Sequence, residues 1–355
     1  MSRGRLLVVT TVHQPDDARI RSKLIRTLSE EWDVTFAARD PGPSDRTGLT
    51  WHRLAGGRVR RWLTASRIIQ SKRWDLVAVH DPELLPPALL RGVLGRPTLF
   101  DLHENLPAQM KTKEWVPSAL RPALGWAARL LLRWAERAMS VTIAETGYQD
   151  LLRREAPVLA NHLSPTELPP VQDAAIPPFL AYLGDITEQR GAHLAIAAAA
   201  GAKMRLVMVG RVAPPELADR LVADARAEGV DLDLAGPMPH GEALRRIAGA
   251  SAGISPILDI PNYRHSLPTK VLEYLALGLP ALVSDLPGTR AVTDDRPGVI
   301  YVAPGEASEW RRAGAELAAQ PSLRSATRAA AQSVREAYSW PKEEVLRVYG
   351  RVARR

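Results

Sequence analysis

The chain has 355 residues, 46% hydrophobic and 24% charged, with a net charge of +8 and no cysteine. That length accommodates two domains with sizeable cores. The lack of cysteine excludes a disulfide scaffold and any thiolate nucleophile or metal ligand.

The charge is uneven. Residues 1–165 hold 25 Lys and Arg against 17 Asp and Glu, whereas residues 166–355 hold 22 of each. A basic half fits an anionic partner, either a membrane surface or an anionic acceptor, and it equally fits a merely Arg-rich surface. No apolar run nears the ~18 residues of a membrane span. The apolar stretch after MSRGR runs into His13, Asp16 and Asp17 without a cleavage-site pattern, so it reads as a buried strand and not a signal peptide. The expected location is cytoplasmic, peripheral to the inner membrane face if the basic half docks there. With three Phe and seven Tyr in the chain, nucleic-acid binding is discounted.

Strand-like runs come first at 5–12, 33–38, 75–80, 97–103 and 140–145. They alternate with helical patterns at 18–30 and 124–139 and a proline-broken segment at 83–94. The second helical pattern carries Arg129, Arg133 and Arg137 beside Trp126, Leu130 and Trp134, with Lys111 and Lys113 before it. This is either a membrane-surface stripe or the solvated face of a covering helix. Six prolines in 157–179 read as a linker. The rhythm then restarts with strands at 179–185, 205–211, 230–236, 251–257, 280–285 and 299–304, and a helical stretch from about 306. The fold class is therefore α/β, with two doubly wound halves. The expected boundaries are 1–165, 166–335 and a terminal helix at 336–355. Ligands of such sheets sit beyond the carboxyl ends of the strands.

The most informative stretch is HSLPTKVLEYLALGLPALVSDLPG, residues 265–288. Ser266 is placed to cap a helix that has Pro268 in its first turn and stops at Gly278 and Pro280. The first-turn amides between Leu267 and Lys270 and the Lys270 ammonium would then face an anion, phosphate above all. Glu273, at i+3, suits the vicinal hydroxyls of a ribose. Together they describe a nucleoside diphosphate site. The plainer alternative, a solvated ion pair, conflicts with the apolar Val271, Leu272, Tyr274, Leu275 and Ala276. Asp231 and Asp233 share a strand face but read as an exposed edge rather than a metal site. There is no Gly-x-Gly-x-x-Gly after the first strand and no P-loop.

LPTKVLEYLALGLPALVSDLPG closely resembles the signature of family 4 retaining glycosyltransferases, bacterial branch, which have the GT-B fold. HQPDDARIRSKLIRTL (13–28), HDPELLP (80–86), FDLHENLPAQ (100–109), YLGDITEQRG (182–191) and YSW (338–340) resemble other motifs of that family, in order. The resemblance implies two Rossmann-like domains with an interdomain cleft and a last helix crossing back to the first domain. It implies that Glu273 holds the ribose while Lys270 and Arg190 neutralise the diphosphate. Gly184, Gly210, Met238, His265, Ser266, Leu267, Pro268 and Thr269 would line the donor. His103 would lie near the transferred sugar, with His13, Asp17, Arg19 and Glu104 on the acceptor side.

The implied activity is transfer of a sugar from a nucleoside-diphosphate sugar, UDP-sugar favoured, with retained configuration and with neither metal nor cofactor. The implied acceptor is a hydroxyl of a surface-polysaccharide, lipid-linked or natural-product molecule. Two departures stand out. Asp185 replaces an expected Arg and is expected to point away, capping the next helix. His265 replaces a donor-sugar Glu, which leaves the loop from Asn262 to Leu267 to read the sugar. These departures keep a second reading open, a nucleotide-sugar-binding partner protein without transferase activity.

Overall fold

The computed structural model describes residues 3–43, 46–107, 117–261, 263–294 and 296–354. Asn262, Lys111 and Lys113 lie outside the described residues. The chain divides into two units: residues 1–161 with 340–355, and residues 162–339.

Unit 1 holds a six-stranded parallel sheet in the order β3-β2-β1-β4-β5-β6. Its strands are β1 (Gly4–Val9), β2 (Trp32–Arg39), β3 (Leu49–Leu54), β4 (Leu76–Val79), β5 (Thr98–Leu102) and β6 (Ser140–Ile143). Helices α2 (Arg58–Ile69), α3 (Leu85–Val93) and α4 (Arg121–Ala138) share one core cluster, with Ala65, Ile69, Leu85, Ala88, Leu132 and Ala135 packed on Leu7, Val9, Val77 and Val79. The other sheet face receives α1 (Ala18–Ile25, π-helical) and α12 (Lys342–Ala353), through Ile20, Leu24, Val345 and Tyr349 against Leu6, Val8, Leu76 and Ala78. Central strands buried on both faces read as unbroken apolar runs, which is why β1 and β4 were legible.

Two elements departed from expectation. β3, LTWHRL, is an edge strand of mixed exposure, so it lacks the apolar run that marks its neighbours. The proline-broken segment is a continuous helix. Pro86 and Pro87 occupy its first turn, where no amide is needed.

Unit 2 repeats the architecture in the order β12-β11-β10-β7-β8-β9. Its strands are β7 (Phe179–Leu183), β8 (Arg205–Val209), β9 (Leu232–Gly236), β10 (Ala252–Ser255), β11 (Ala281–Ser284) and β12 (Val299–Val302). Its helices are α5 (Ala192–Ala202), α6 (Leu217–Ala227), α7 (His240–Ile247), α8 (Thr269–Ala276), α9 (Pro287–Thr293), α10 (Ala307–Ala318) and α11 (Ser322–Ala337). α9 was not anticipated. The terminal helical stretch is three helices, and the last of them, α12, belongs to unit 1. Trp340 anchors it there, its indole Nε1 donating to Thr27 Oγ1 at 3.0 Å.

Each sheet reverses its strand order once, between β1 and β4 in unit 1 and between β7 and β10 in unit 2. These switch points are where doubly wound sheets bind ligands.

Candidate functional site

In unit 2 the loop after β7 makes the floor. Gly184 has φ +103°, and a side chain on Gly210 would meet the Gly184 carbonyl at 2.1 Å, so the two glycines pass in backbone contact. Tyr182 hydroxyl donates to the Asp185 carbonyl at 3.0 Å and fixes the turn. Above Gly184, Lys270 Nζ and Arg190 Nη1 stand 3.6 and 3.7 Å from where its Cβ would be. Lys270 Nζ also lies 4.4 Å from the centre of the Tyr182 ring.

Tyr274 holds α8 in this position. Its ring fills the space a Gly253 side chain would take, at 2.2 Å. Its hydroxyl accepts from Leu183 N–H at 2.8 Å and donates to the Ile254 carbonyl at 3.2 Å. The helix is thereby tied to β7 and β10, the two strands of the switch point. At its far end Gly278, φ +72°, closes the last turn as the sequence stop signals require.

The start of α8 differs from expectation. Ser266 does not cap it; its hydroxyl donates to the Tyr263 carbonyl at 3.2 Å, and the N-cap is Pro268, without a side-chain bond. Thr269 N–H closes on the Leu267 carbonyl at 2.9 Å. The anion-facing character of this mouth thus rests more on Lys270 and Arg190 than on amides. Lys270 Nζ is buried and has no hydrogen-bond partner. Burial, then the charge of Arg190, depress its pKa to about 7. A buried, unpartnered ammonium beside a second cation is costly unless an anion completes it.

Glu273 is 5% exposed and does not pair with Lys270. Its Oε1 accepts from His240 Nε2 at 2.8 Å, and His240 Nδ1 lies 2.8 Å from Glu167 Oε2. Both ring nitrogens face carboxylate oxygens, so both must donate, and the ring is an imidazolium. Burial opposes that charge, but Glu273 and Glu167 outweigh it and raise the pKa to about 10. His240 was missed by sequence reasoning. The signal available was a histidine at the first position of a helix after Pro239, which by itself points nowhere.

Asp185 does not cap α5, whose N-cap is Gly191 without a side-chain bond; Asp185 accepts from Arg211 at 3.4 Å. His265 is exposed, and its loop lies directly on Gly288 of α9, where a side chain would meet the Ser266 carbonyl at 2.6 Å. Met238 and Leu267 pack against the core under α8. Asp231 and Asp233 pair with Arg205, and Asp233 also with Arg246, beside edge strand β9.

In unit 1 the switch point gathers histidines. Asp81 accepts from Thr10 Oγ1 at 2.9 Å and Val12 N–H at 3.1 Å, joining the β1 loop to the end of β4. His13 Nε2 lies 3.3 Å from Asp81 and 3.0 Å from His103 Nε2. Burial opposes charge on His13, but Asp17 and Asp81 prevail and raise its pKa to about 9. Burial lowers that of His103. The hydrogen-bond partners give the proton pattern. Charged His13 donates from Nε2 to neutral His103, whose own proton sits on Nδ1 and donates to the Asp101 carbonyl at 2.9 Å. Asp17 accepts from Ile20 N–H at 2.9 Å at the start of α1, and Glu104 is half-buried beside His103.

Arg19 corrects the acceptor-side assignment. It is buried, its guanidinium is bidentate on Asp101 at 3.1 and 2.9 Å, and Nη1 donates to the Leu159 carbonyl at 2.8 Å. It is a structural pair beneath the histidines. His80, Asp101 and His103 bring potential ligand atoms within 4.8 Å of one another. The Arg19 guanidinium already supplies Asp101 with the positive charge a metal would bring. A cavity of about 490 Å³ lies at the opposite end of this sheet, lined by Pro97, Thr98 and Ser140 at the strand starts. Ligands of doubly wound sheets bind at the other edge, so volume alone misplaces the site.

Residues 177–320 match the family described as "Glycosyl transferases group 1". The search of curated protein sequences found no significant match. Among solved structures, sucrose-phosphate synthase from Thermosynechococcus elongatus superposes with TM-score 0.77 at 16% identity, covering 99% of this chain and 98% of that one. Anabaena HepE, solved with UDP and glucose, gives 0.71 at 10% identity over 99% of both chains. WaaG, a glycosyltransferase involved in lipopolysaccharide biosynthesis, gives 0.71 at 14% identity over 96% and 98%. At these identities the likeness is one of fold: the chain has the GT-B fold.

Proposed function

We propose that this protein is a glycosyltransferase of the family 4 type. It moves a sugar from a nucleoside-diphosphate sugar to a hydroxyl group, with retention of configuration and without a metal. The observation that carries the reading is the pair of cations over Gly184, one of them a buried amine without a partner. A diphosphate supplies the missing negative charge. Glu273 keeps Oε2 for the ribose while Oε1 stays on His240. A UDP-sugar is the favoured donor, in line with the UDP held by HepE. The match to the glycosyl transferase family over residues 177–320 supports the same reading.

In this mechanism the acceptor hydroxyl attacks on the face from which the diphosphate leaves. The glycosidic C–O bond breaks toward an oxocarbenium-like transition state, and the new bond forms on the same face. The departing phosphate takes the hydroxyl proton. Lys270 and Arg190 stabilise the charge that grows on the leaving oxygen. By the family resemblance, His103 would lie near the transferred sugar. The acceptor class is a surface polysaccharide, a lipid-linked sugar or a natural product, the first in keeping with the role printed for WaaG.

A thermal-shift panel of UDP-, GDP- and dTDP-sugars tests the reading, with Glu273→Ala alongside. One base series should raise the melting temperature of the wild type and not of the variant. If no nucleotide shifts the wild type, or the variant responds equally, the assignment fails.

A further inference from the structure

Exposed apolar side chains are not scattered over this molecule. Ten of the fourteen large ones among the described residues belong to α2, α3 and α4 or their caps. These three helices lie side by side on one face of the unit 1 sheet, since all pack into the same core cluster and α3 touches both others. Their outward sides therefore form one surface. Trp126 is 66% exposed and Trp134 58%, with Leu130 between them and Leu63, Leu90 and Val93 on the neighbouring helices. Soluble proteins rarely leave such a patch open to water unless it binds something.

The same helices carry nine arginines and a single acid, Glu136; Arg91 is buried on the Ile69, Ser71 and Trp74 carbonyls, so eight arginines remain for the surface, one of them, Arg58, paired with Glu83. Glu136 is buried and accepts from Arg153 and Arg154 amides, so it adds no negative charge to the surface. Their net charge of +8 equals that of the whole chain. Arg129 and Arg137 are exposed beside the two tryptophans. Tryptophan with arginine over an apolar ground is the composition that settles at a lipid headgroup boundary. Each cation near an anionic leaflet adds to the attraction.

We infer that the outer face of α2, α3 and α4 docks on an anionic lipid bilayer, with Trp126 and Trp134 inserted and the arginines on the headgroups. A second copy of this chain is the poorer occupant, because two faces of like charge would repel. Among the described residues no helix is long and apolar enough to cross a membrane, so the contact is peripheral. The amino ends of α2, α3 and α4 follow the carboxyl ends of β3, β4 and β5, the edge that holds His13 and His103. This inference stands apart from the donor reading.

The test is co-sedimentation of the full chain with phosphatidylglycerol-containing and pure phosphatidylcholine vesicles, at low and high salt. Binding should require the anionic lipid and weaken as salt rises. Trp126→Ser/Trp134→Ser and Arg129→Glu/Arg133→Glu should each lower the partition coefficient roughly tenfold or more. Both variants must keep the circular dichroism spectrum and melting temperature of the wild type, which shows they are folded. No binding to anionic vesicles at low salt would overturn the inference. So would tryptophan variants that bind as well as wild type, since that is charge attraction without docking. Sedimentation velocity showing a dimer that the same substitutions dissociate would assign the face to a second copy instead.

Discussion

Replacing Lys270 by methionine separates what this residue does for folding from what it does for binding. The amine is held from its ordinary 10.5 down to about 7, by burial first and Arg190 second. Each pH unit of depression corresponds to about 1.4 kcal/mol. The full depression sets a ceiling of about 5 kcal/mol, and relaxation and water penetration around the amine bring the recoverable part to roughly 1–3 kcal/mol. Methionine keeps most of the volume and the contact with the Tyr182 ring without the desolvated charge. At pH 7 the Lys270→Met protein should therefore be more stable than the wild type. Its unit 2 transition should rise by roughly 2–4 °C for each kcal/mol recovered. The same variant should lose nearly all stabilisation by UDP. Differential scanning calorimetry with and without nucleotide reads both. A variant less stable than wild type would refute the argument that the amine is an unpaid burial, and retained UDP stabilisation would refute its role at the diphosphate.

The same amine predicts a pH effect. Its depressed pKa lowers ligand-free stability most below pH 7, and that penalty fades as pH rises from 7 to 10.5. Diphosphate binding recharges it, so above pH 7 binding should take up close to one proton and weaken by up to tenfold per pH unit; calorimetry in two buffers of different ionisation enthalpy would show this, and a pH-independent affinity would contradict it. His240→Gln removes the charged donor from Glu273. UDP affinity should fall roughly tenfold, as for one charge-assisted hydrogen bond, and the preference for UDP over 2′-deoxy-UDP should shrink with it. Unchanged discrimination would mean that His240 does not set the ribose contact. Arg19→Met should destabilise unit 1 by roughly 3–5 kcal/mol, because Asp101 is left buried and uncompensated; urea unfolding measures it, and a loss below about 1 kcal/mol would contradict its role as the compensating charge for Asp101.

The readable parts of this chain are those where chemistry and sequence coincide. β1, β4 and β7 are apolar runs because they are buried on both faces. α8 announces itself because Pro268, Lys270, Glu273 and Gly278 each have a local reason for their spacing. β3 was missed because an edge strand needs no such run, and the helix with Pro86 and Pro87 was misread because prolines break a helix only past its first turn. Arg19 looked like a loop charge on a helix start; only the fold reveals that Asp101, 82 residues away, takes both its nitrogens. His240 was invisible for the same reason: its partners Glu167 and Glu273 are distant in sequence and adjacent only in three dimensions.

The central claim is that Lys270 and Arg190 form a diphosphate site over Gly184. Isothermal titration of UDP and UMP into wild type and into Lys270→Met/Arg190→Met isolates that site, because only the second phosphate differs. Two charge-assisted contacts predict that wild type prefers UDP by roughly 100-fold or more, and that the double variant binds the two nucleotides nearly alike. A wild type that binds UMP as tightly as UDP, or binds neither, would contradict the account.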